Sequence, residues 1–534
     1  MKRFRGRQGG SSRRKASPRF FASLALCIAG QGACGLALDA PPDVELYLGG
    51  SSAQDELLEG LMRLRPGLLD APNICVEGSL DIYSSRVQGA RQRLFFCETD
   101  RFVEDVPAGL RLAVYKSSGG SGEGVQPLLT GTPLPFLAVA GLVDGDCRAQ
   151  TRVLPTGDLA AYTEHRDCSG RVVSRFLHAG ISDLEPALLA TDTSSLVTRS
   201  LAQLVWGLPV SKNLRNALQA IQGLVPADVP HDDPARETPE VMPSLSSTQI
   251  SSIFAGSVAE WSAFYDGAGE PVHRSSRLAR AAPDLTNLSG TAPGAYQPDA
   301  VHGNSIYLCR RIETSGTQIA FGTHYLRQRC TSDAHPFAVP NDGSDLERGG
   351  NPRELLDQAK PPGRVFAGVG SSDVEACLDI HDDRNRWAIG MLSTENPGNN
   401  VSREYRHIRI DGYAPTLLNA HNGRWRHVSS ASMQWLPDEQ SSGTRRETVA
   451  VRDFIANHMA QPAVLRSLNR KFRYPWGQGG YLADSRAVRT GPEAMVTAES
   501  LATFPVAGVS SSRRGEPQNC QVPLLRGASS ILLR

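Results

Sequence analysis

The sequence has no Cys-x-x-Cys pair, no histidines at metal-ligand spacing and no Walker phosphate loop. These absences argue against a zinc site and against a nucleotide-driven motor within this chain. It also lacks a Gly-x-Ser-x-Gly elbow with histidine and aspartate partners in order, which removes the usual signature of a serine hydrolase. An excess of positive charge is missing too. Lys plus Arg number 56 against 55 Asp plus Glu, and nonspecific nucleic-acid binding needs a surplus of cations to displace counterions. No transmembrane bundle is present. The apolar run 20–30 has the length of a signal-peptide core and is too short to span a bilayer.

That run follows a segment, residues 2–19, with eight Lys and Arg and no acid. Small residues continue through Ala40. Residues 1–40 are therefore read as an export signal, with cleavage near Ala37–Ala40. Ser12-Arg13-Arg14 resembles a twin-arginine signal, and Cys34 lacks the aliphatic residue of a lipoprotein signal before it. The alternative is a basic tail followed by a buried apolar helix.

Eight of the ten cysteines lie beyond the signal, an even set that reads as disulfides in an exported chain. Pairing by neighbourhood gives Cys75–Cys97, Cys147–Cys168, Cys309–Cys330 and Cys377–Cys520.

At 534 residues and 40% apolar content the chain can bury more than one core. From Asp43 to about Leu201, strand-like and helix-like stretches alternate, as in a doubly wound sheet, whose ligands lie beyond the carboxyl ends of the strands. Gly/Ser-rich turns occupy those places: Gly49-Gly50-Ser51-Ser52-Ala53-Gln54, residues 117–124, and Gly180-Ile181-Ser182-Asp183. A fourth follows the strand-like run 306–308, where Arg310-Arg311-Ile312-Glu313-Thr314-Ser315-Gly316-Thr317 opens a segment with Ile319, Phe321 and Tyr325 on one helical face. A helix start leaves N–H groups unpaired, hydroxyls add donors, Gly316 admits close approach, and an arginine fork matches two oxygens. The bland alternative for Ser315 and Asp183 is a helix N-cap.

In order, the Gly-Ser-Ser turn, the Ser-Gly-rich turn, Gly-Ile-Ser-Asp, Ile-Phe-Ala-Gly-Ser-Val-Ala-Glu-Trp (253–261), Arg-x-x-x-Ser-Gly-Thr, Ala-Ile-Gly-Met around Gly390, and Ile-Arg-Ile-Asp-Gly-Tyr-Ala-Pro-Thr (408–416) resemble the phosphate-binding periplasmic proteins of phosphate ABC transporters. The resemblance covers roughly residues 44–475, with insertions. It implies a two-lobed α/β periplasmic-binding-protein fold of type II, each lobe a doubly wound sheet with flanking helices. It further implies that Ser52 and the Ala53 amide, Ser121, Asp183, Arg311, Ser315, the Gly316 amide and Thr317 touch a phosphate-like oxyanion, with Glu313 orienting Arg311. Two departures stand out: the family's Thr-Phe in the first turn is Ser52-Ala53 here, and its Arg-Ser-Asp-Gly-Ser-Gly-Thr turn has Ile312, Glu313 and Thr314 in the middle. Arg310 is expected to be solvated and Lys116 to lie at the surface or rim the cleft.

The expected organisation is a first lobe over 41–204 with a disulfide-closed insertion near 140–172, and a second lobe over 205–400. The second lobe carries a Pro-rich insertion (225–244) and a polar loop (266–303). The chain would return to the first lobe over 401–475, with Val449–Phe472 as one helix, and end in a poorly patterned tail, 476–534. The implied function is capture of phosphate or a similar oxyanion by an exported, periplasmic or secreted, monomeric receptor. It would use no cofactor and would hand its ligand to a separate membrane ABC transporter or a sensor. The rival readings are an exported interaction or adhesion protein that keeps the fold without the ligand, and a hydrolase using Ser121 or Ser315.

Overall fold

The computed structural model describes residues 41–65, 73–87, 90–101, 103–138, 146–169, 172–226, 229–230, 233–277, 305–338, 365–384, 386–396, 403–437, 444–484, 496–510, 517–520 and 524–525. The expected export signal and most of the loop 266–303 lie outside these residues. Among the described residues, no helix is long and apolar enough to cross a membrane.

Two sheets organise the chain. The larger has 11 strands and the smaller five. In chain order the strands are β1 (Val44–Gly50), β2 (Asp81–Val87), β3 (Ala90–Glu98), β4 (Arg111–Ser118), β5 (Cys147–Val153), β6 (Tyr162–Cys168), β7 (Ala179–Ser182), β8 (Val197–Gly207), β9 (Pro209–Ser211), β10 (Tyr307–Arg311), β11 (Val365–Gly368), β12 (Ala388–Gly390), β13 (Leu392–Ser393), β14 (Tyr405–His407), β15 (Val428–Trp435) and β16 (Tyr481–Leu482). The large sheet runs β13-β8-β15-β7-β1-β4-β3-β2-β6-β5, with β16 also on β8. The small one runs β11-β10-β12-β9-β14.

At the heart of the large sheet, β4, β1 and β7 are parallel, so their carboxyl ends and the turns that follow emerge side by side. Strands on either flank are antiparallel, and the β2–β3 hairpin stands where strict strand–helix alternation was expected. In the small sheet β10 is parallel to both β11 and β12.

Each lobe buries its own core. In the first, Leu46, Leu48, Val114 and Ile181 pack with Leu57, Leu58 and Leu61 of helix α1 (Asp55–Met62). In the second, Val210, Leu308 and Ile389 pack with Leu214 and Leu218 of α2 (Lys212–Ile221), Ile250 and Phe254 of α3 (Ser247–Phe254), and Phe321 of α4 (Gly316–Leu326). Helix α3 begins with a full capping box between Ser246 and Gln249 and is followed by Gly256 at φ 72°. A further cluster joins Cys309 and Tyr307 to Val374, Cys377 and Leu378 of α5 (Ser371–Asp383).

The lobes are joined where β8 continues into β9 through Leu208 and where β12 continues into β13. The chain then re-enters the small sheet at β14 and leaves it finally at β15. Residues 405–427 therefore stay with the second lobe, later than the expected return at 401.

Three other expectations are corrected. Val449–Phe472 forms two helices, α6 (Arg446–His458) and α7 (Pro462–Asn469). The residue before a proline is driven out of the α region, and Gln461 at ψ 147° is the break, with Pro462 opening α7. Helix α7 buries Val464, Leu465 and Leu468 in the first-lobe core, each stabilising by about 1.5–3 kcal/mol at most. The segment after Gly477 is no loose tail at its start. Tyr481 and Leu482 are buried as β16, where Asn469 Nδ2 donates to Tyr481 O at 2.8 Å and Tyr481 N donates to Asn469 Oδ1 at 2.9 Å.

The disulfides are Cys75–Cys97, Cys147–Cys168, Cys309–Cys377 and Cys330–Cys520. The first two match the neighbourhood pairing and the last two exchange partners. Cys309 on β10 faces Cys377 on the overlying α5, whereas Cys330, past the end of α4, meets residues 517–520. Strand pairing makes neighbours of Cys147 and Cys168 in the β5–β6 hairpin, and that hairpin joins the edge of the large sheet through β2.

Candidate functional site

The turns after β1, β4 and β7 converge because glycines let backbone meet backbone. A Cβ at Gly50, which has φ 126°, would strike Ile181 O, and one at Gly180 would strike Gly124 O. The carboxyl group of Asp183 lies at their meeting point, 2% exposed. Ser51 Oγ donates to its Oδ1, as does Gln54 Nε2 at 3.3 Å, while Ser121 Oγ donates to Oδ2 at 3.2 Å. The Asp183 N–H in turn donates to Ser121 Oγ at 3.0 Å. Burial still pushes the Asp183 carboxyl above its ordinary value, against these donors and the positive Arg311.

A second layer holds the first turn in place. Lys116 is fully buried, with Nζ donating at 3.1 Å each to Ser51 O, Ser117 O and Ser118 Oγ, and it stands 3.6 Å from Asp55 Oδ1. It neither rims the cleft nor lies at the surface, as its sequence context suggested. Burial lowers its pKa, and Asp55 opposes that shift.

From the other lobe, β10 delivers Arg311, 3% exposed, and α4 begins at Gly316. Arg311 donates from Nε and Nη2 to Val369 O and from Nη1 to Ser371 Oγ at 3.2 Å and Thr317 Oγ1 at 3.5 Å. Among the described residues no carboxylate comes within ion-pair distance of it, and burial lowers its pKa to about 10. Glu313, expected to orient Arg311, is exposed; the carbonyl of Val369 and the hydroxyl of Ser371 hold the guanidinium instead. Arg310 is likewise buried rather than solvated, donating to Ala338 O and Arg311 O.

The two sides touch directly. Gly122 N donates to Thr314 O at 3.3 Å, and a Cβ at Gly316 would overlap both Ser121 Oγ and Asp183 Oδ2. The structure thus brings Ser121, Asp183, Arg311, Ser315, Gly316 and Thr317 together. Ser52 and Ala53 stand differently. Ser51 supplies the hydroxyl at Asp183, Ala53 N donates back to Ser51 Oγ at 3.1 Å, and Ser52 turns to a neighbouring cavity. Two adjacent serines cannot be ordered by sequence; the pairing of Gly50 with Ile181 sets which one faces Asp183.

The start of α4 carries unmet polar groups. Ser315 Oγ, Gln318 Nε2 and Gln318 Oε1 are buried without hydrogen-bond partners, although both residues are only 2% exposed. Gln54 Oε1, beside Asp183, is in the same state. Neither glutamine was singled out from the sequence; Gln318, three residues after the N-cap, is where a signal existed. Such orphans are costly unless a partner arrives.

A buried arginine fork, a helix start with spare donors and a carboxyl group opposite are the parts of an oxyanion site. Phosphate receptors are what the chain is similar to. An ABC-type phosphate transport receptor from Vibrio cholerae is 12% identical, with 80% of this chain and 98% of that one covered at a TM-score of 0.33. A phosphate-binding protein from Stenotrophomonas maltophilia is 12% identical, with 81% and 90% covered and a TM-score of 0.36. PstS from Borrelia burgdorferi is 10% identical, with 82% and 99% covered and a TM-score of 0.31. No family model matches the chain, and no curated protein matches it. Scores this low leave the geometry of the site to carry the functional reading.

Proposed function

We propose that this chain is an exported solute-binding protein that takes phosphate, or a closely similar protonated oxyanion, between its lobes and delivers it to a membrane ABC transporter or a sensor. The observation that carries this reading is the first turn of α4: Ser315 Oγ and the Gln318 amide are buried without partners beside an arginine that, among the described residues, makes no ion pair, the Asp183 and Asp373 carboxylates acting on it only from a distance. An anion there receives the helix-end N–H groups of Gly316 and Thr317, the Ser315 hydroxyl and the Arg311 guanidinium. On the opposite jaw, the Asp183 carboxylate accepts a proton-bearing oxygen and repels one without a proton, which favours phosphate over sulfate.

Four disulfides in the described residues suit an oxidising compartment such as the periplasm or the cell exterior. A binding role also suits the two serines better than catalysis. Among the described residues Ser315 Oγ has no base beside it, which a nucleophilic serine needs, and the carboxylate that Ser121 meets, Asp183, is on this reading the group that senses the anion's proton. The test is calorimetric titration of the folded, ligand-stripped protein with phosphate and, separately, sulfate. Phosphate heat without sulfate heat is expected; silence with both would leave the interaction-protein reading.

A further inference from the structure

A cavity of about 560 Å³ lies between the lobes next to the anion site. The first lobe contributes Ser52 and Ser118 to its wall, and the second contributes Val369, Ser371 and Ser372. Three of these connect it to the site. Val369 O and Ser371 Oγ are the groups that hold Arg311, and Ser52 follows the serine bonded to Asp183. The volume far exceeds what a single tetrahedral anion fills.

The wall carries hydroxyls, carboxyls and the cations Arg86, Arg91 and Lys471 on its polar part, with Val369 and Phe472 as its large apolar side chains. Most of its carboxylates are already engaged: Asp55 accepts from Ser118, Glu56 from Lys471, and Glu375 from Tyr405 and Arg403. Of the remaining two, Asp167 is exposed and Glu395 is partly buried. Glu395 lies just past β13, where the chain crosses between lobes; Oε1 accepts from Ser393 Oγ at 3.1 Å, and Oε2 is buried with no hydrogen-bond partner. An orphaned carboxyl oxygen in a polar chamber is suited to a ligand hydroxyl. Hydroxyls of a ligand would also find Ser52, Ser118, Ser371 and Ser372 along the same wall.

We infer that the cleft accepts a phosphate monoester of a hydroxylated alcohol, with the phosphoryl group between Arg311 and Asp183 and the alcohol's hydroxyls in the chamber against Glu395, Ser52 and Ser371. This rests on the phosphate-site reading and extends it by naming the rest of the ligand. The monoanion of such an ester keeps one phosphoryl proton for Asp183, so the ester satisfies the same jaw as phosphate does. Binding would strengthen on mild acidification toward the ester's own second ionisation.

The experiment is calorimetry on the full chain with four probes: inorganic phosphate, glycerol 3-phosphate, glucose 6-phosphate and phenyl phosphate, with glucose as the phosphate-free control. The wild-type protein is expected to bind at least one hydroxylated ester about tenfold or more tighter than phenyl phosphate. In Glu395→Gln that preference should fall about fivefold or more, with inorganic phosphate affinity held within about threefold. The wild-type ligand series decides the matter even if the variant is unstable. Binding of inorganic phosphate with no ester binding, or with phenyl phosphate equal to the hydroxylated esters, overturns this inference and leaves the phosphate reading standing. Silence with every phosphorylated probe overturns both.

Discussion

On the first-lobe side of the cleft Asp183 has Ser51, Gln54 and Ser121 as donors, whereas across it the first turn of α4 leaves Ser315 Oγ and both polar atoms of Gln318 without partners. The same contrast holds one layer deeper. Glu59, buried in α1, is met by Arg93 Nη2 at 2.5 Å and Arg63 Nη1 at 2.7 Å, while among the described residues Arg311 in the second lobe meets a carbonyl and hydroxyls. Apart from Gln54 Oε1, the polar groups around Asp183 are satisfied internally, which suits a jaw set before ligand arrives. A jaw with spare donors has something to gain by closing on an anion. On the proposed function, the difference would give preorganisation to the first lobe and ligand-dependent closure to the second.

Breaking the satisfied side should cost stability most. Glu59→Gln leaves two buried arginines poorly compensated and is expected to destabilise the fold by about 3–5 kcal/mol, read by chemical denaturation. The Glu59 carboxyl is held down to about 2 by the positive Arg93, Lys471 and Arg63 against the opposing effect of burial. A depressed folded-state pKa contributes stability that is full above the ordinary carboxylate range and lost as pH falls from about 4.5 toward about 2. The wild type should lose stability through that window more steeply than the variant does.

Breaking the unsatisfied side should instead cost affinity. Arg311→Met is expected to weaken phosphate binding by roughly 10- to 100-fold, the value of a lost charge-assisted hydrogen bond, with a much smaller change in stability. A larger loss of stability than of affinity would reverse the contrast between the jaws. Asp183→Asn should leave phosphate binding measurable but cut the phosphate-to-sulfate preference about tenfold. The wild-type preference should also shrink on acidification. Burial raises the Asp183 pKa, so its repelling charge is present above that raised value and lost as pH falls through it. Competition titrations across pH measure this. Smallest of all, Glu313→Gln should change phosphate affinity less than about twofold, since this exposed side chain does not hold Arg311.

Much of this layout was legible in the sequence where chemistry and geometry are both local. Gly49-Gly50 and Gly180 announce turns where backbones meet, Ser315-Gly316-Thr317 announces a helix start, and the capping box at Ser246 places α3. What escaped was tertiary. Whether Ser51 or Ser52 faces Asp183 depends on the register of β1 against β7. The burial of Lys116 depends on Asp55 arriving from α1, and the Cys309–Cys377 pairing depends on α5 lying across β10. Val449–Phe472 carried its own correction in Pro462, which the apolar periodicity on either side obscured.

On the proposed function, the start of α4 and Arg311 receive an anion opposite Asp183. The most direct test is a crystal structure of the folded chain grown with phosphate. One phosphate is expected, with oxygens in hydrogen-bond reach of Arg311, Ser315 Oγ and the Gly316 and Thr317 N–H groups, and one protonated oxygen toward Asp183. A cleft still closed as Gly316 on Ser121 and Asp183, with phosphate bound elsewhere or nowhere at saturating concentration, would contradict it.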